Sequence, residues 1–197
     1  MGKGGIEVLE SDMTQNPSPS TNLGAVVDVV GEMMEHGIIA DYAIGGAVAA
    51  ILHYEPFSTF DLDIFFLIND GAKSLVLDMS EIYDFVRTKG FEFDHEFIMI
   101  HGWPVQFVEA THDSLWVEAI QNAEIMDVDG RQVKVIDAEH LAAMWIQAGR
   151  RKDIRKIEMF NEAGKMDADI LKALLTRYDL LSNWKLSQHN FSDEYQY

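Results

Sequence analysis

One stretch of the chain, residues 42–66, constrains the fold more than any other. It places a glycine pair, Gly45 and Gly46, ahead of a short helical pattern, and then Asp61 and Asp63, separated by one leucine, inside an apolar run. Side chains at positions i and i+2 of a strand point to the same face, about 7 Å apart. The two carboxylates are therefore expected to converge on one spot, where they can bind a divalent metal ion.

Paired carboxylates near a glycine turn suit phosphoryl or nucleotidyl transfer. Mg²⁺ prefers oxygen ligands and usually binds through one or two carboxylates together with substrate phosphates. With two ions about 4 Å apart, both the attacking and the leaving oxygen can be stabilised. Glycine lets backbone N–H groups approach a phosphate closely, and a helix beginning at Ala47 would add its positive N-terminal dipole.

The order and spacing of these residues resemble the nucleotidyltransferase superfamily. In that superfamily a Gly-Gly or Gly-Ser pair opens a helix, and Asp-x-Asp follows on the next strand. The chain is similar to the minimal nucleotidyltransferase-like domains that include toxins of abortive-infection toxin–antitoxin systems. Residues 133–153, VKVIDAEHLAAMWIQAGRRKD, resemble their later strand, helix and closing Arg-x-Lys-Asp motif. The resemblance covers roughly residues 41–160.

The resemblance implies roles for the residues of the first stretch. Asp61 and Asp63 are the expected catalytic carboxylates, which hold Mg²⁺ against a nucleoside triphosphate. Gly45 and Gly46 are expected to cradle phosphate, and Thr59, which leads into Asp-x-Asp, is placed with the nucleotide-binding residues.

The closing motif supplies a second group of nucleotide-binding candidates. Arg150, Arg151 and Lys152 are expected to bind the nucleotide or the acceptor, and Asp153 could orient them by ion pairing. From the residues alone, a helix-start aspartate with solvated basic neighbours fits Asp153 equally well.

The third carboxylate that family enzymes usually carry on a later strand has no clear counterpart. In the run from Val105 to Val108 the matching position is Gln106, whose amide can hydrogen-bond but cannot take a proton or hold a cation strongly. Glu109 would lie on the opposite face of a regular strand, and a bulge could swing it in. Gln106 is therefore a nucleotide-binding candidate and Glu109 a catalytic candidate.

Two further positions depart from the family pattern. Relatives tend to have an arginine shortly before the Thr that precedes Asp-x-Asp, where this chain has Pro56, Phe57 and Ser58. They also often have a lysine where this chain has Trp145. Phe57 and Trp145 could stack a base or fill the core, and helical spacing with Leu141 and Met144 favours core for Trp145.

Net charge limits the partners. The chain has 33 acidic and 15 basic residues, a net charge of −18. Such a surface repels nucleic acid, so bulk DNA binding is not expected. An RNA partner would have to meet the local basic patch at residues 150–156, which holds five of the fifteen basic residues.

Other classes of site and location fit poorly. The chain has no cysteine, so neither disulfides nor thiolate metal sites are available. Its seven histidines show no metal-ligand spacing, and serine-hydrolase and phosphate-loop signatures are absent. No apolar run is long enough to span a membrane and the N-terminus does not resemble a secretion signal, which favours the cytoplasm.

The pattern predicts an α+β nucleotidyltransferase fold, a mixed β-sheet flanked by helices with a helical C-terminal part. The expected divisions are a mobile tail over 1–20, a core over 21–136, the helical part over 137–186 and a frayed end over 187–197. Helices are predicted over about 21–37, 47–54, 75–89, 113–123, 137–148, 152–161 and 167–180. Strands are predicted over 38–44, 61–68, 91–100, 105–110, 125–126 and 133–136, with turns at 69–71, 101–104 and 129–130.

Three functions remain open on the sequence. The favoured one is transfer of a nucleoside monophosphate to a hydroxyl of a small molecule, a protein or an RNA. The alternative is a catalytically degenerate member that binds nucleotide or a protein partner, as half of a toxin–antitoxin or regulatory pair. The third is a metal-dependent phosphotransferase on the same fold.

Overall fold

A mixed β-sheet runs through the protein. The computed structural model describes residues 23–54, 59–68, 79–128 and 130–192. Within these ranges the sheet has seven strands in the order β3-β4-β5-β2-β1-β7-β6, with β2–β5 and β1–β7 parallel and the other neighbours antiparallel. The strands are β1 Asp41–Ile44, β2 Leu62–Leu67, β3 Glu92–Asp94, β4 Phe97–Ile100, β5 Trp103–Glu109, β6 Glu124–Val128 and β7 Arg131–Val135.

Helices pack against this sheet and form the C-terminal part. They are α1 Leu23–Glu35, α2 Gly46–His53, α3 Ser80–Thr88, α4 Ser114–Gln121, α5 Ala138–Ala148, α6 Arg151–Glu162, α7 Ala168–Arg177 and α8 Leu181–Ser192. Over the described ranges, none of these helices combines the length and the apolar character that a bilayer crossing requires. The mixed α+β architecture is the predicted one.

Strand β2 fixes which side chains reach the site. Leu62, Ile64 and Phe66 are buried on one face, so Asp63 and Phe65 point to the other. Each fully buried aliphatic or aromatic side chain contributes about 1.5–3 kcal/mol. A one-residue slip of the strand would expose all three apolar residues and bury the carboxylate, so the hydrophobic pattern itself sets the direction of Asp63.

Local turn and capping signals account for several confirmed elements. β6 and β7 form the predicted hairpin, and Gly130 in its turn has φ 79°, while residue 129 lies outside the described ranges. Asp137 caps α5, since its Oδ1 accepts a hydrogen bond of 2.8 Å from the backbone N–H of His140. Gly149 ends the same helix with φ 65°, as glycine permits.

The single strand predicted over residues 91–100 is wrong, because the chain turns back on itself there. β3 and β4 form a hairpin whose turn contains His95, with φ 55°. The apolar and acidic residues continue to alternate through this turn, which hides it from a periodicity argument. The predicted turn at 101–104 is also shorter, since β5 already begins at Trp103.

The C-terminal end is more helical than predicted. α8 continues to Ser192, into the range that we predicted as frayed, and residues 193–197 lie outside the described ranges. Its sequence, LSNWKLSQHNFS, lacks a regular apolar stripe, so periodicity gave no signal for it. Predictions for residues 1–22, 55–58 and 69–78, including the tail and the turn at 69–71, also fall outside the described ranges, and the domain divisions stay predictions.

A cluster of charged residues around the buried His140 joins α4, α5 and the end of α7. His140 Nδ1 lies 2.7 Å from Asp137 Oδ2, and its Nε2 lies 3.6 Å from Glu118 Oε1. Glu118 also accepts hydrogen bonds from Arg177 and Tyr178. Burial lowers the pKa of His140, but the hydrogen bond with Asp137 and the charges of Asp137 and Glu118 outweigh it, so the net pKa is raised.

Removing this histidine is expected to destabilise the protein more at acidic than at alkaline pH. The raised pKa means that protonated His140 stabilises the fold at pH values below about 6.5, its unfolded value, and that this contribution is lost as pH rises through the folded pKa. His140→Gln should therefore cost about 1–2 kcal/mol at pH 5.5 and less at pH 8.5. Urea unfolding measures both values. His36→Gln, at an exposed position, is the control, and an equal cost for His140→Gln at the two pH values would contradict the assignment.

Candidate active site

Asp61 and Asp63 line one cavity of about 470 Å³ at the carboxylate-bearing face of β2. Asp61 lies just before the strand and Asp63 within it, so strand alternation turns both towards the cavity. Thr59 orients the first of them, because its hydroxyl donates a hydrogen bond of 2.6 Å to Asp61 Oδ1. Thr59 also lines the cavity, and the structure therefore brings these three predicted site residues together.

The carboxylate of Asp63 has a raised pKa. Burial and the charge of Asp61 raise its pKa from 3.8 to about 6, although Arg150, Lys156 and Lys152 act in the opposite direction. A carboxylate is most costly to ionise where it is desolvated beside a like charge. A bound cation would relieve both effects, so this arrangement favours cation binding.

The two glycines have different tasks. Gly46 opens α2 with φ 58° and lines the cavity, and a Cβ on it would collide with Oδ2 of Asp63. Gly45 caps the helix without lining the cavity, and its N–H donates a hydrogen bond of 3.0 Å to the Asp63 carbonyl. A Cβ on Gly45 would collide with the ring of Phe65. Gly46 is therefore placed where a phosphate could approach. The N–H of Gly45 already donates to a carbonyl of β2 and is not available to a phosphate.

A cationic wall lines the same cavity. We use this name for Arg150, Lys152 and Lys156, which come from the start of α6. Asp153 holds two of them, since its Oδ2 lies 3.0 Å from Arg150 Nε and its Oδ1 lies 2.9 Å from Lys156 Nζ. The Asp153 side chain is only 2% exposed. Arg151, a predicted site residue, is exposed and is not among the residues that line the cavity.

Lys156 is a site residue that the sequence argument left out of the site. It belongs to the predicted basic patch, but the helical spacing of three residues from Asp153 is the signal that could have identified it. Trp116 was also missed, and nothing in its sequence context indicates its position. Its ring contacts Phe65 edge to face at 5.3 Å between centroids, and its Nε1 donates a hydrogen bond of 2.7 Å to Gln147.

Gln106 and Glu109 lie on opposite faces of β5, as the alternation of side chains along a strand requires. Gln106 is the register partner of Asp63 on the neighbouring strand and lines the cavity. Glu109 pairs with Phe66 in an unbroken one-to-one register, so no bulge turns it inward. Its Oε1 accepts a hydrogen bond of 2.5 Å from the Thr111 N–H. The candidate role of Glu109 as a catalytic carboxylate is therefore corrected: it supports a turn outside the cavity.

Trp145 fills the core, one of the two roles that the sequence left open. It is 4% exposed and belongs to the hydrophobic core, as its helical spacing favoured. It is also among the residues that line the cavity, and base stacking by its ring stays a prediction. Phe57, the other aromatic candidate, lies outside the described ranges.

Few of the described side chains near the cavity could serve as ligands of a metal ion. Among the residues described, no group of three or more carboxylate or histidine side chains is arranged to hold a metal ion. Two converging carboxylates fit Mg²⁺ when substrate phosphates supply further oxygen ligands. The raised pKa of Asp63 is the observation that favours such a cation. Asp61 and Asp63 are the residues that would hold it.

Solved structures resemble this fold at low sequence identity. For the antibiotic-resistance factor ANT(2'')-Ia, determined in solution, the identity is 14%, the match covers 88% of this chain and 99% of that one, and the TM-score is 0.50. For a crystal structure of ANT(2'')-Ia in complex with adenylyl-2''-tobramycin, the identity is 15%, the match covers 81% of this chain and 98% of that one, and the TM-score is 0.49. For an antigenic nucleotidyltransferase-like protein from Paracoccidioides brasiliensis, the identity is 19%, the match covers 84% of this chain and 93% of that one, and the TM-score is 0.49.

The comparison with ANT(2'')-Ia in solution shows the fold. No family model matches the sequence, and no curated protein matches it. The likeness to ANT(2'')-Ia in solution spans most of both chains, and with the mixed sheet it shows that the protein has a nucleotidyltransferase fold. At this level of identity the likeness extends to the fold alone, so the activity must be argued from the site.

Proposed function

We propose that the protein transfers a nucleoside monophosphate from a Mg²⁺-bound nucleoside triphosphate to a hydroxyl group of an acceptor. The acceptor is a small molecule, a protein or an RNA. The acceptor hydroxyl loses its proton to water, and its oxygen bonds to the α-phosphorus. The bond from that phosphorus to the oxygen bridging to the β-phosphorus breaks, and pyrophosphate leaves with the electron pair of that bond.

The side chains of the cavity divide this work. Asp61 and Asp63 would hold Mg²⁺, and Thr59 keeps Asp61 oriented through its hydrogen bond. The metal ion supplies charge neutralisation and polarisation of the phosphoryl group when bound. Gly46 leaves room beside Asp63, and the cationic wall binds the triphosphate through charge-assisted hydrogen bonds.

One observation carries this proposal: a carboxylate pair and a cationic wall line the same cavity in a chain of net charge −18. Its volume of about 470 Å³ falls within the range of small-molecule sites. A metal ion needs the carboxylates, and a polyphosphate needs the cations. Nucleoside triphosphates bound with Mg²⁺ need both at once.

The position of Gln106 favours a second candidate function. It occupies the place beside Asp63 where a third carboxylate would act, and Glu109 does not replace it. On this alternative the protein binds a nucleotide without transferring it and acts through a protein partner. A place in a toxin–antitoxin or regulatory pair belongs to this second proposal.

The first experiment is calorimetric titration of the four ribonucleoside triphosphates, with Mg²⁺, into wild type and Asp61→Ala/Asp63→Ala. At least one triphosphate should bind to wild type, and the double variant should lose about 100-fold or more in affinity. Asp84→Ala/Asp94→Ala, which removes two exposed carboxylates, is the control for net charge. No binding by wild type, or equal loss in the control, would contradict the proposed site.

Product analysis separates the candidate functions. Nucleotidyl transfer releases pyrophosphate, whereas a phosphotransferase on the same fold would release nucleoside diphosphate. Binding without either product across an acceptor screen of small molecules, proteins and RNA would support the nucleotide-binding alternative.

A further inference from the structure

Lys156 is held in an unusual place for a lysine. Its Nζ lies 2.9 Å from Asp153 Oδ1 and 5.0 Å from the centroid of the Trp145 ring, and its side chain is only 20% exposed. An ammonium over the face of tryptophan is attracted by the ring quadrupole. Most lysines extend into water to keep the charge solvated. Here a carboxylate and an aromatic ring together fix the charge at the cavity wall.

The charge on this wall exceeds what the fold requires. Asp153 is the buried carboxylate of the wall, and Arg150 alone, with Nε at 3.0 Å, would already pair with it. Lys156 and Lys152 then add two positive charges in the same cavity, which Asp61 and Asp63 balance as long as no cation is bound there. A divalent cation held by Asp61 and Asp63 would leave the cavity lining with a net positive charge, which favours an anionic ligand.

Lys156 differs from the other two cations of the wall. The Arg150 side chain is 62% exposed and Lys152 is exposed, so water hydrates both charges, although Arg150 also pairs with Asp153. Lys156 is already ordered, which reduces the entropy lost on binding. It also lies in a less hydrated position, where a charge interaction is stronger than in water. Of the three, Lys156 should contribute most to anion binding.

We propose that Lys156, positioned by Trp145 and Asp153, is the principal residue that binds the triphosphate of the nucleotide, and that it does not contact the base or the sugar. This inference rests on the proposed function, since it assigns a phosphate contact within the same cavity. Asp153 and Trp145 are then positioning residues, which act through Lys156.

The test compares three probes: the ribonucleoside triphosphate that wild type binds most tightly, its monophosphate, and inorganic tripolyphosphate, each titrated with Mg²⁺. Lys156→Met should weaken binding of the triphosphate and of tripolyphosphate by about 10- to 100-fold. It should weaken binding of the monophosphate less than about threefold. Lys156→Arg keeps the charge and should restore most of the affinity.

Two further variants keep the test independent of folding and net charge. Lys156→Met leaves Asp153 with one partner and can destabilise the fold. Asp153→Asn/Lys156→Met removes both members of the pair, so it tests phosphate binding without a stranded carboxylate, and the same loss of triphosphate affinity is expected. Arg155→Met removes the same charge from the neighbouring exposed residue, which does not line the cavity, and should change affinity less than twofold.

Three other outcomes would contradict the assignment of Lys156. If wild type binds none of the phosphate-bearing probes, this inference and the proposed function both fail. If wild type binds the triphosphate, Asp61→Ala/Asp63→Ala loses it and Lys156→Met binds as wild type does, this inference alone fails. Equal weakening of all three probes by Lys156→Met, or equal weakening by Arg155→Met, would show a structural or a bulk-charge role and would also overturn it.

Discussion

Replacing Asp63 with asparagine is expected to abolish nucleotide transfer and, at pH 8 without metal ions, to stabilise the fold. The substitution removes a negative charge where a cation would bind and leaves a side chain of almost the same shape. Loss of an electrostatic contact to a transferring phosphoryl group should lower the rate of pyrophosphate release by about 10³-fold or more, which corresponds to about 4 kcal/mol.

The expected gain in stability follows from the pKa of the same carboxylate. Burial and the charge of Asp61 raise this pKa from 3.8 to about 6, so the folded state binds the proton more tightly than the unfolded state. Ionised Asp63 therefore costs up to about 3 kcal/mol above pH 6, and this cost fades as pH falls towards 3.8. Burial of the asparagine amide offsets about 1 kcal/mol, which leaves a net gain of about 2 kcal/mol at pH 8.

Urea unfolding in EDTA measures this gain, which should shrink between pH 8 and pH 4.5. Glu109→Gln is the matched control, because it neutralises a carboxylate on the neighbouring strand that supports a turn and does not line the cavity. It should leave both pyrophosphate release and the pH dependence of stability close to wild type. A control that lost activity, or an Asp63→Asn variant that lost stability at pH 8, would contradict the assignment of these two residues.

Local sequence signals predicted the part of the site that one strand and one turn determine. Asp61 and Asp63 share a face because side chains alternate along β2, and Gln106 faces Asp63 for the same reason on β5. The mixed sheet followed from strand patterns and capping residues. These features depend on interactions within a few residues, which a periodicity argument captures.

The remaining features of the site depend on distant parts of the chain. Trp116 reaches the cavity only because α4 packs beside β2, and the position of Lys156 over Trp145 depends on how α6 follows α5. The proposed bulge at Glu109 depended on the register between β2 and β5, which the sequence does not specify at single-residue resolution. Long-range packing therefore determined which predicted residues share the cavity.

Replacing Gly46 with alanine is expected to remove nucleotide binding, because the added Cβ would collide with the Asp63 carboxylate. The backbone adds a second cost, since φ is 58° and a residue with Cβ is strained there by about 1–2 kcal/mol. Gly164→Ala separates the two effects: its φ is 63°, and an added Cβ meets nothing within 4 Å. Both variants should lose similar backbone stability, but only Gly46→Ala should lose triphosphate affinity, by about 100-fold.

A double-mutant cycle makes the collision itself measurable. Adding Gly46→Ala to Asp63→Ala should cost less unfolding free energy than adding it to wild type, because alanine at position 63 has no carboxylate for the new Cβ to meet. Contacting residues typically couple by about 0.5–3 kcal/mol. A coupling near zero would mean that the carboxylate moves aside freely. Strong coupling, together with unchanged triphosphate affinity in Gly164→Ala, would show that the absence of a Cβ at Gly46 lets the Asp63 carboxylate occupy the position where it can bind a cation.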